Sequence, residues 1–240
     1  MTQNSWTDLE RRIVSCRKCP RLVEWRERAG REKRRAYRAE TYWAKPVPGF
    51  GDRAARVLAV GLAPGAHGSN RTGRMFTGDA SGSFLYPALH RAGFADRPDS
   101  TAKGDGLLLS GLFITAVCRC APPDNKPDPE EIRNCLPYLE EEIRRLEDLR
   151  VFVALGKIAF DTLVRLLAEP RGRFGPGDTF SGRAPVFAHG VRWEIPGPPG
   201  AAPRRLIASY HPSRQNTQTG RLTRAMFSRI WRAAGRLAER

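Results

Sequence analysis

The junction between the runs Arg56-Val-Leu-Ala-Val60 and GLAPGAHGSNRTGRMFTGD, which spans residues 61–79, decides the fold. The first run is mostly apolar and does not alternate, which is typical of a strand that is buried on both faces of a sheet. The second run holds five glycines, one histidine, two arginines and one aspartate, so it is too polar to be core. Because glycine lets a backbone approach a ligand closely, the junction predicts a strand that ends at a ligand site.

Three more runs of the same strand type follow along the chain, at residues 112–117, 151–155 and 205–210. Helical patterns lie between or after the strands, at residues 81–92, 128–149, 157–168 and 221–238. A short amphipathic helix near the N-terminus has Thr7 as its predicted cap and Glu10 as the matching capping-box residue. The alternation of strands and helices predicts one α/β domain over residues 1–240, with a central parallel sheet.

Two segments stand apart from this alternation. Residues 1–50 form a strongly basic N-terminal segment that contains Cys16 and Cys19. Residues 170–203 are rich in glycine and proline and too long for an ordinary connection, so we predict an irregular excursion there.

The chain carries a formal net charge of +16 at pH 7, which is a large excess for 240 residues. An excess of this size favours a polyanionic partner, and we expect nucleic-acid binding. The sequence has no apolar run long enough to cross a bilayer, and its start lacks the apolar stretch of a signal peptide. We therefore expect a cytoplasmic protein that does not bind membranes.

Polar loops follow three of the predicted strands, at residues 61–79, 118–127 and 211–216. Ligands of parallel α/β sheets bind beyond the carboxyl ends of the strands, so these loops predict one site. The glycine loop lacks the Gly-Lys-Ser/Thr ending of a phosphate loop, and Pro64 interrupts the spacing of a dinucleotide fingerprint. These features weaken the interpretations as a kinase, an ATPase or a nicotinamide enzyme.

Four residues of these loops are candidates for chemistry, and most have a purely structural alternative. Asp79 precedes a predicted helix, so it is either the helix cap or a rim carboxylate that orients water. His211 follows the last strand and could donate a hydrogen bond to a developing anion. Phe76 is either a core residue or a platform for a base, whereas Asn125 is more simply a turn residue than a base reader.

The five cysteines indicate a metal centre rather than disulfides, because their number is odd and the expected compartment is reducing. They are Cys16, Cys19, Cys118, Cys120 and Cys135. Four thiolates suit zinc or an iron–sulfur cluster, and the residues alone do not separate the two. Cys118 and Cys120 point to opposite sides of an extended chain, so one of them is expected to be a ligand.

Two segments resemble the active-site motifs of the family 5 uracil-DNA glycosylases. They are GLAPGAHGSNRTGRMFTGDASG at residues 61–82 and HPSRQNTQTGRLT at residues 211–223. The similarity extends to CRKCPRLVEWRE, to PVPGFGD and to ITAVCRCAPPDNKPDPEEIRNCLPYL, and thus through most of the chain. The resemblance implies a three-layer α/β/α sandwich around a four-stranded parallel sheet. It also implies removal of damaged bases from DNA without a lyase step.

The resemblance further implies a 4Fe–4S cluster. Matched position by position, its ligands are Cys16, Cys19, Cys120 and Cys135. This match selects Cys120 over Cys118, a choice that the spacing leaves open.

The resemblance also assigns the active site. It implies that Asp79, His211 and Asn125 form the catalytic set. The implied substrate-binding residues are Gly61, Ala63, Gly65, Phe76, Ala116, Ser213 and Asn216.

Ala63 and Ala116 stand where other glycosylase families carry a catalytic acid and a base-reading asparagine. Their small apolar side chains imply relaxed discrimination, so the expected substrates are uracil, hypoxanthine and xanthine in DNA. Met75 departs from the family pattern, in which proline often precedes the phenylalanine.

Two other functions remain open at this level. One is a non-catalytic nucleic-acid-binding module with a structural metal, which would not need polar loops at three strand ends. The other is a phosphoesterase, which would need clustered carboxylates for divalent ions. For the glycosylase we expect a monomer with DNA as its partner.

Overall fold

The structure is a computed structural model that describes residues 5–168, 185–195 and 203–239. Its strands are β1 (Phe50–Gly51), β2 (Val57–Gly61), β3 (Leu112–Ala116), β4 (Val151–Leu155), β5 (Arg192–Ile195) and β6 (Arg204–Ser209). They form one sheet in the order β1-β3-β2-β4-β6-β5. The four strands predicted from the sequence are its central strands, and they are parallel to one another.

The predicted α/β class and the four parallel central strands are confirmed, but the sheet has six strands, because an antiparallel strand is added at each edge. β1 pairs with β3, and β5 pairs with β6. β1 has two residues, which is too short to leave a pattern in the sequence. β5 lies inside the predicted excursion at residues 170–203, whereas residues 185–191 of that excursion are in neither a helix nor a strand. Residues 170–184 and 196–202 of the excursion lie outside the described residues.

Five of the described helices correspond to predicted ones, and the helices at residues 20–32, 69–72 and 214–218 were not predicted. The described helices are α1 (Trp6–Val14), α2 (Pro20–Glu32), α3 (Ser69–Thr72), α4 (Ala80–Arg91), α5 (Pro129–Arg145), α6 (Lys157–Ala168), α7 (Arg214–Gln218) and α8 (Arg224–Ala238). The cap of α1 is Ser5 and not Thr7, because Ser5 and Asp8 form the reciprocal capping box. None of these helices, within the described ranges, has the length and apolar composition needed to cross a membrane.

The helices cover both faces of the sheet, as a three-layer α/β/α sandwich requires. Leu89 of α4 and Trp231 of α8 belong to a buried apolar cluster with the side chains on one face of the strands. Leu139 of α5 and Phe160 of α6 belong to a second cluster with the opposite face. Both faces of β2, β3 and β4 are therefore buried, which explains their continuous apolar runs.

The strand register brings the three polar loops to one edge of the sheet. Gly61, the last residue of β2, is paired with Ala116, the last residue of β3. Leu155 at the end of β4 is paired with Ser209 at the end of β6. The loops that follow these strands therefore start at the same level and converge, as predicted.

A buried polar network fixes the end of the glycine loop. Arg74 is only 3% exposed, and its guanidinium donates to both oxygens of Asp105, at 2.7 and 2.5 Å. Its Nε also donates to Thr77 Oγ1 at 3.1 Å, and Thr77 is hydrogen-bonded to Ser100. The Arg74 guanidinium holds the pKa of Asp105 well below its usual value. The network ties residues 74–77 to the connection between α4 and β3.

We expect Arg74→Met to lower the free energy of unfolding by about 3 kcal/mol, because it leaves a partly buried carboxylate without its ion-pair partner. The depressed pKa of Asp105 adds stability that is fully present above the ordinary value of 3.8. The difference between the two proteins should therefore shrink as the pH falls below that value. Urea denaturation at several pH values measures it.

Lys157→Met is the matched control for this substitution. It breaks the exposed pair between Lys157 and Asp161 on α6 and should cost less than about 1 kcal/mol. Equal losses in the two variants would contradict a special role for the buried network.

Candidate active site

A pocket of about 590 Å³ opens where the three polar loops meet. It contains all three predicted catalytic residues and five of the seven predicted substrate-binding residues. Those eight are Ala63, Gly65, Phe76, Asp79, Ala116, Asn125, His211 and Ser213. The sequence therefore predicts eight of the seventeen residues that line the pocket.

Asp79 is the helix cap that the sequence offers as one alternative, and it also lines the pocket. As the N-cap of α4, its Oδ1 accepts hydrogen bonds from the backbone N–H groups of Ser81 at 2.9 Å and Gly82 at 3.1 Å. The other oxygen, Oδ2, faces Gly65, where an added Cβ would lie 3.0 Å from it. One oxygen therefore holds the helix while the other faces the glycine loop in the pocket wall.

Burial raises the pKa of Asp79 above the usual aspartate value. The two backbone hydrogen bonds and the charge of Arg71 act in the opposite direction and favour the carboxylate. The helix N-terminus contributes further, because its dipole stabilises a negative charge. The group is thus a desolvated carboxylate with three specific sources of stabilisation.

His211 lines the pocket together with Asp79, and burial lowers its pKa to about 4. Its imidazole is therefore neutral at neutral pH and carries one N–H that can donate to a ligand. The ring lies next to Phe76, with 5.8 Å between the ring centroids and 30° between the planes. A neutral histidine of this kind can stabilise a developing anion by donating its one N–H to it.

Phe76 has a backbone φ of +54°, which is unusual for a residue other than glycine. The ring reaches the end of β2, where an added Cβ on Gly61 would stand 2.8 Å from it. Phe76 is thus held by the core on one side and lines the pocket on the other. The interpretation as a core residue is partly confirmed, and the role as a platform for a base stays a prediction.

Two predicted substrate-binding residues do not line the pocket. Gly61 lies behind Phe76, and its lack of a side chain leaves room for that ring. Asn216 donates from Nδ2 to the backbone oxygen of His211 at 2.9 Å, so it shapes the loop that carries the histidine. Both residues support the residues that line the pocket.

Asn125 lies at the exposed rim of the pocket, in a short 3₁₀ turn. It and Asp124 both have positive φ, at +57° and +52°. Asparagine and aspartate tolerate this left-handed conformation, so the turn role is established. The turn also places the Asn125 side chain among the pocket residues.

The sequence interpretation missed several lining residues. They are Arg34, Leu62, Ser69, Met75, Ala80, Ser81, Asp124, Arg214 and Gln215. Most of them adjoin a predicted residue, so proximity along the chain was a usable signal. Arg34 is the exception, because it comes from the N-terminal segment and only the tertiary structure brings it to the pocket.

Cys16, Cys19, Cys120 and Cys135 line a second, smaller cavity. Cys118 does not line it and instead packs in the apolar cluster beneath α5 and α6. Across the described ranges, no three His, Cys, Asp or Glu side chains form a group suited to a single metal ion. A four-iron cluster is larger than one ion and is held by four thiolates, which is the donor set of this cavity.

Hydrogen-bond donors surround the sulfurs of this cavity. Arg26, which is 2% exposed, donates from Nη1 to Cys120 Sγ at 2.9 Å. The backbone N–H of Arg119 donates to Cys135 Sγ at 3.2 Å. Asn134 Nδ2 lies 3.7 Å from Cys19 Sγ. A buried cation and N–H donors directed at sulfur are what thiolate ligands require.

The fold and the pocket together define a class of protein. A basic α/β chain has a desolvated carboxylate, a neutral imidazole and a phenylalanine ring in one pocket at the strand ends. This combination suits an enzyme that acts on a nucleic acid and takes a flat ring into the pocket. Comparison with known proteins supports the class.

The sequence model of the uracil DNA glycosylase superfamily matches residues 48–235. A type-5 uracil-DNA glycosylase of Thermus thermophilus is 54% identical, over 94% of this chain and 95% of the relative. The type-5 enzyme of Pyrobaculum aerophilum is 41% identical over 97% and 94% of the two chains. A type-4 enzyme of the same organism is 35% identical over 71% of each chain. The chain therefore belongs to the type-5 uracil-DNA glycosylases of the uracil DNA glycosylase superfamily.

The pocket predicts how His211 titrates. Phe76→Ala should admit water to His211 and raise its pKa from about 4 towards the ordinary 6.5, because the present value comes from burial. Histidine titration by NMR measures the change. Phe94→Ala removes a ring that packs on Trp231 in the core and should leave the pKa of His211 unchanged. A shift of the same size in both variants would contradict the assignment to local desolvation.

Proposed function

We propose that this protein removes uracil from DNA by hydrolysing the N-glycosidic bond, which leaves a free base and an abasic site. The observation that carries the proposal is the presence of Asp79 and neutral His211 in one pocket beside Phe76. The close similarity to type-5 uracil-DNA glycosylases supports it. A base inside a duplex is out of reach, so the enzyme must first flip the nucleotide into the pocket.

The two residues take different parts in the proposed reaction. Breaking the bond leaves negative charge on the base and positive charge on the sugar, as in other oxocarbenium-like reactions. His211 donates a hydrogen bond to the departing base, together with backbone N–H groups of the glycine loop. Preorganised donors of this kind each contribute about 3 kcal/mol to the barrier reduction. Asp79 stabilises the cationic sugar and orients the attacking water.

The reaction ends with hydrolysis. A lyase step through a Schiff base needs an amine, and the cations among the described lining residues are the guanidinium groups of Arg34 and Arg214. Guanidinium does not lose its proton in proteins, so it does not serve as this nucleophile. We infer a monofunctional enzyme.

We further propose that the enzyme accepts deaminated purines. Ala63 and Ala116 line the pocket without offering any side-chain hydrogen bond to the base. A pocket wall without such groups discriminates weakly between similar ligands. Hypoxanthine and xanthine then join uracil as substrates.

The cysteine cavity supports a further proposal, that Cys16, Cys19, Cys120 and Cys135 hold a 4Fe–4S cluster. When bound, the cluster supplies a covalent cross-link between distant parts of the chain. Cys19 is the N-cap of α2 and Cys135 lies on α5, so the link joins the N-terminal segment to the sandwich. The same cavity brings Arg26 to the cluster ligands.

One chain supplies the pocket, the basic residues and the four cysteines. We therefore propose that it works as a monomer in the reducing cytoplasm, where free thiolates persist. The basic chain then binds the phosphates of DNA, with Arg34 and Arg214 at the pocket rim.

Base release from defined duplexes tests the proposed function. The purified protein is incubated with DNA that contains uracil, hypoxanthine or xanthine, and abasic sites are then cleaved with alkali. We expect cleavage with all three bases. Ala116→Asn should favour uracil over the purines, because it adds a base reader. No release from any duplex would overturn the proposal, and release of uracil alone would overturn its breadth.

Asp79→Asn separates the two roles of this residue. Asparagine is also a good helix cap, so stability should change little, whereas the rate should fall at least about a hundredfold. Thr223→Ala is the matched control, since Thr223 caps α8 away from the pocket. It should cost about 1 kcal/mol of stability and leave the rate unchanged. Full activity of Asp79→Asn would show that the residue is only a cap.

The cluster ligands are tested by comparing Cys120→Ala with Cys118→Ala. We expect brown wild-type protein with iron and sulfide in equal amounts. Cys118→Ala should keep both, because Cys118 lies outside the cavity, whereas Cys120→Ala should lose most of the iron. Stoichiometric zinc without iron would reject the cluster, and loss of iron from the Cys118 variant would reject the ligand set.

A further inference from the structure

Arg71 is a buried cation that the proposed reaction does not use. It lies in α3 on the glycine loop, and its side chain is only 9% exposed. It does not line the pocket itself. A buried guanidinium needs several partners, and those of Arg71 lie on both sides of the loop.

On one side, Arg71 holds the backbone of the loop. Its Nε donates to the backbone oxygen of His67 at 2.9 Å, and its Nη2 donates to that of Gly78 at 2.9 Å. Gly78 has a φ of +83°, and an added Cβ there would stand 2.5 Å from Arg71 Nη2. Because Gly78 directly precedes Asp79, this contact fixes the peptide from which the Asp79 side chain starts.

On the other side, Arg71 contacts the N-terminal segment. Its guanidinium carbon lies 3.9 Å from the centre of the Tyr37 ring, and Nη1 forms an ion pair with Glu40. The backbone oxygen of Arg71 also accepts a hydrogen bond from Trp43 N–H at 2.9 Å. The Arg71 side chain therefore cannot turn away from Gly78 without breaking its contacts with Tyr37 and Glu40.

Arg71 also acts on Asp79 through its charge, which favours the ionised carboxylate. Burial raises the pKa of Asp79, and Arg71 is a nearby charge that lowers it. The other charged or titratable groups around the same pocket are Arg34, Asp124, His211 and Arg214. Of these, His211 is neutral at neutral pH, since its pKa is about 4.

We propose that Arg71 is a positioning residue for Asp79, which fixes the peptide before it and favours its ionised form. This role rests on the proposed function, since it matters for catalysis only if Asp79 acts as a carboxylate. It also assigns a task to the N-terminal segment, whose Tyr37 and Glu40 hold the guanidinium in place. Arginine is required there, because its planar fork reaches two carbonyl oxygens at once.

The first test measures Asp79 without any substrate. The Asp79 carboxyl carbon is followed by NMR titration in aspartate-labelled protein and assigned with Asp79→Asn. Arg71→Gln should raise the pKa of Asp79 above its wild-type value. Arg71→Lys keeps the positive charge, so the pKa of Asp79 should stay close to the wild-type value. An unchanged pKa in Arg71→Gln overturns the electrostatic part of the proposal, whether or not the protein releases bases.

The second test is the pH dependence of base release. Activity requires ionised Asp79, so the rate falls as the pH drops through its pKa, and Arg71→Gln should move this fall to higher pH. Arg71→Lys should lose roughly ten- to a hundredfold on the plateau through misplacement, with the acid limb near that of the wild type. If Arg71→Gln does not fold, an Arg71→Lys protein with full activity overturns the positioning role.

Arg97→Gln is the matched control. Arg97 also donates to two backbone oxygens, those of Asp105 and Gly106, and pairs with the carboxylate of Asp96. It lies outside the pocket lining, so its loss should change neither the Asp79 titration nor the acid limb. Equal changes in the Arg71 and Arg97 variants would reduce Arg71 to a structural residue and overturn the proposal.

Discussion

The capping of α4 by Asp79 is the interaction on which the site depends. A carboxylate in a desolvated pocket is costly unless specific partners stabilise its charge. The backbone N–H groups at the start of α4 provide two such partners and leave the second oxygen facing the glycine loop. The same geometry therefore ends the loop, starts the helix and keeps a charged oxygen in the pocket. The helix cap is therefore also the carboxyl group that the proposed reaction uses.

The loop that carries Asp79 is held in place by Arg71 and Arg74, whose side chains bind Gly78 and Thr77, the residues that follow Phe76. Arg74 connects the loop to Asp105 and Ser100 in the following connection. Arg71 connects it to the N-terminal segment through Tyr37 and Glu40. Phe76 lies in the chain between Arg74 and Gly78, the residue that Arg71 binds, and its φ is positive. A residue stays in such a conformation only when its surroundings hold it there. The glycines allow the loop to adopt an unusual backbone conformation, and the contacts of the two arginines fix that conformation.

The N-terminal segment contributes more than positive charge. It brings Arg34 to the pocket rim, Tyr37 and Glu40 to Arg71, and two cysteines to the cavity shared with Cys120 and Cys135. α1 packs against α5 through Leu9, Ile13 and Tyr138. The segment thus reaches the active site and the cysteine cavity at once. That connection gives a physical reason why the proposed cluster would have a structural role, because a cross-link at this point would hold both regions.

The sequence by itself determined the four central strands, the helices between them and the edge of the sheet at which the site lies. It did so because strands buried on both faces leave continuous apolar runs and the polar loops directly follow them. It also identified Asp79, His211 and Phe76, which lie within or next to those loops. The edge strands β1 and β5 were not predicted, since one has two residues and the other lies in a segment rich in glycine and proline.

Only the tertiary structure decided how residues that are far apart in sequence meet. It placed Gly61 and Asn216 behind the pocket and Arg34 at its rim, and it set Cys120 in the cysteine cavity and Cys118 in the core. It also joined Arg71 to residues on both of its sides. The physical reason is that periodicity and loop composition report local burial and backbone conformation. Contacts between distant segments depend instead on how the layers pack, which no local pattern encodes.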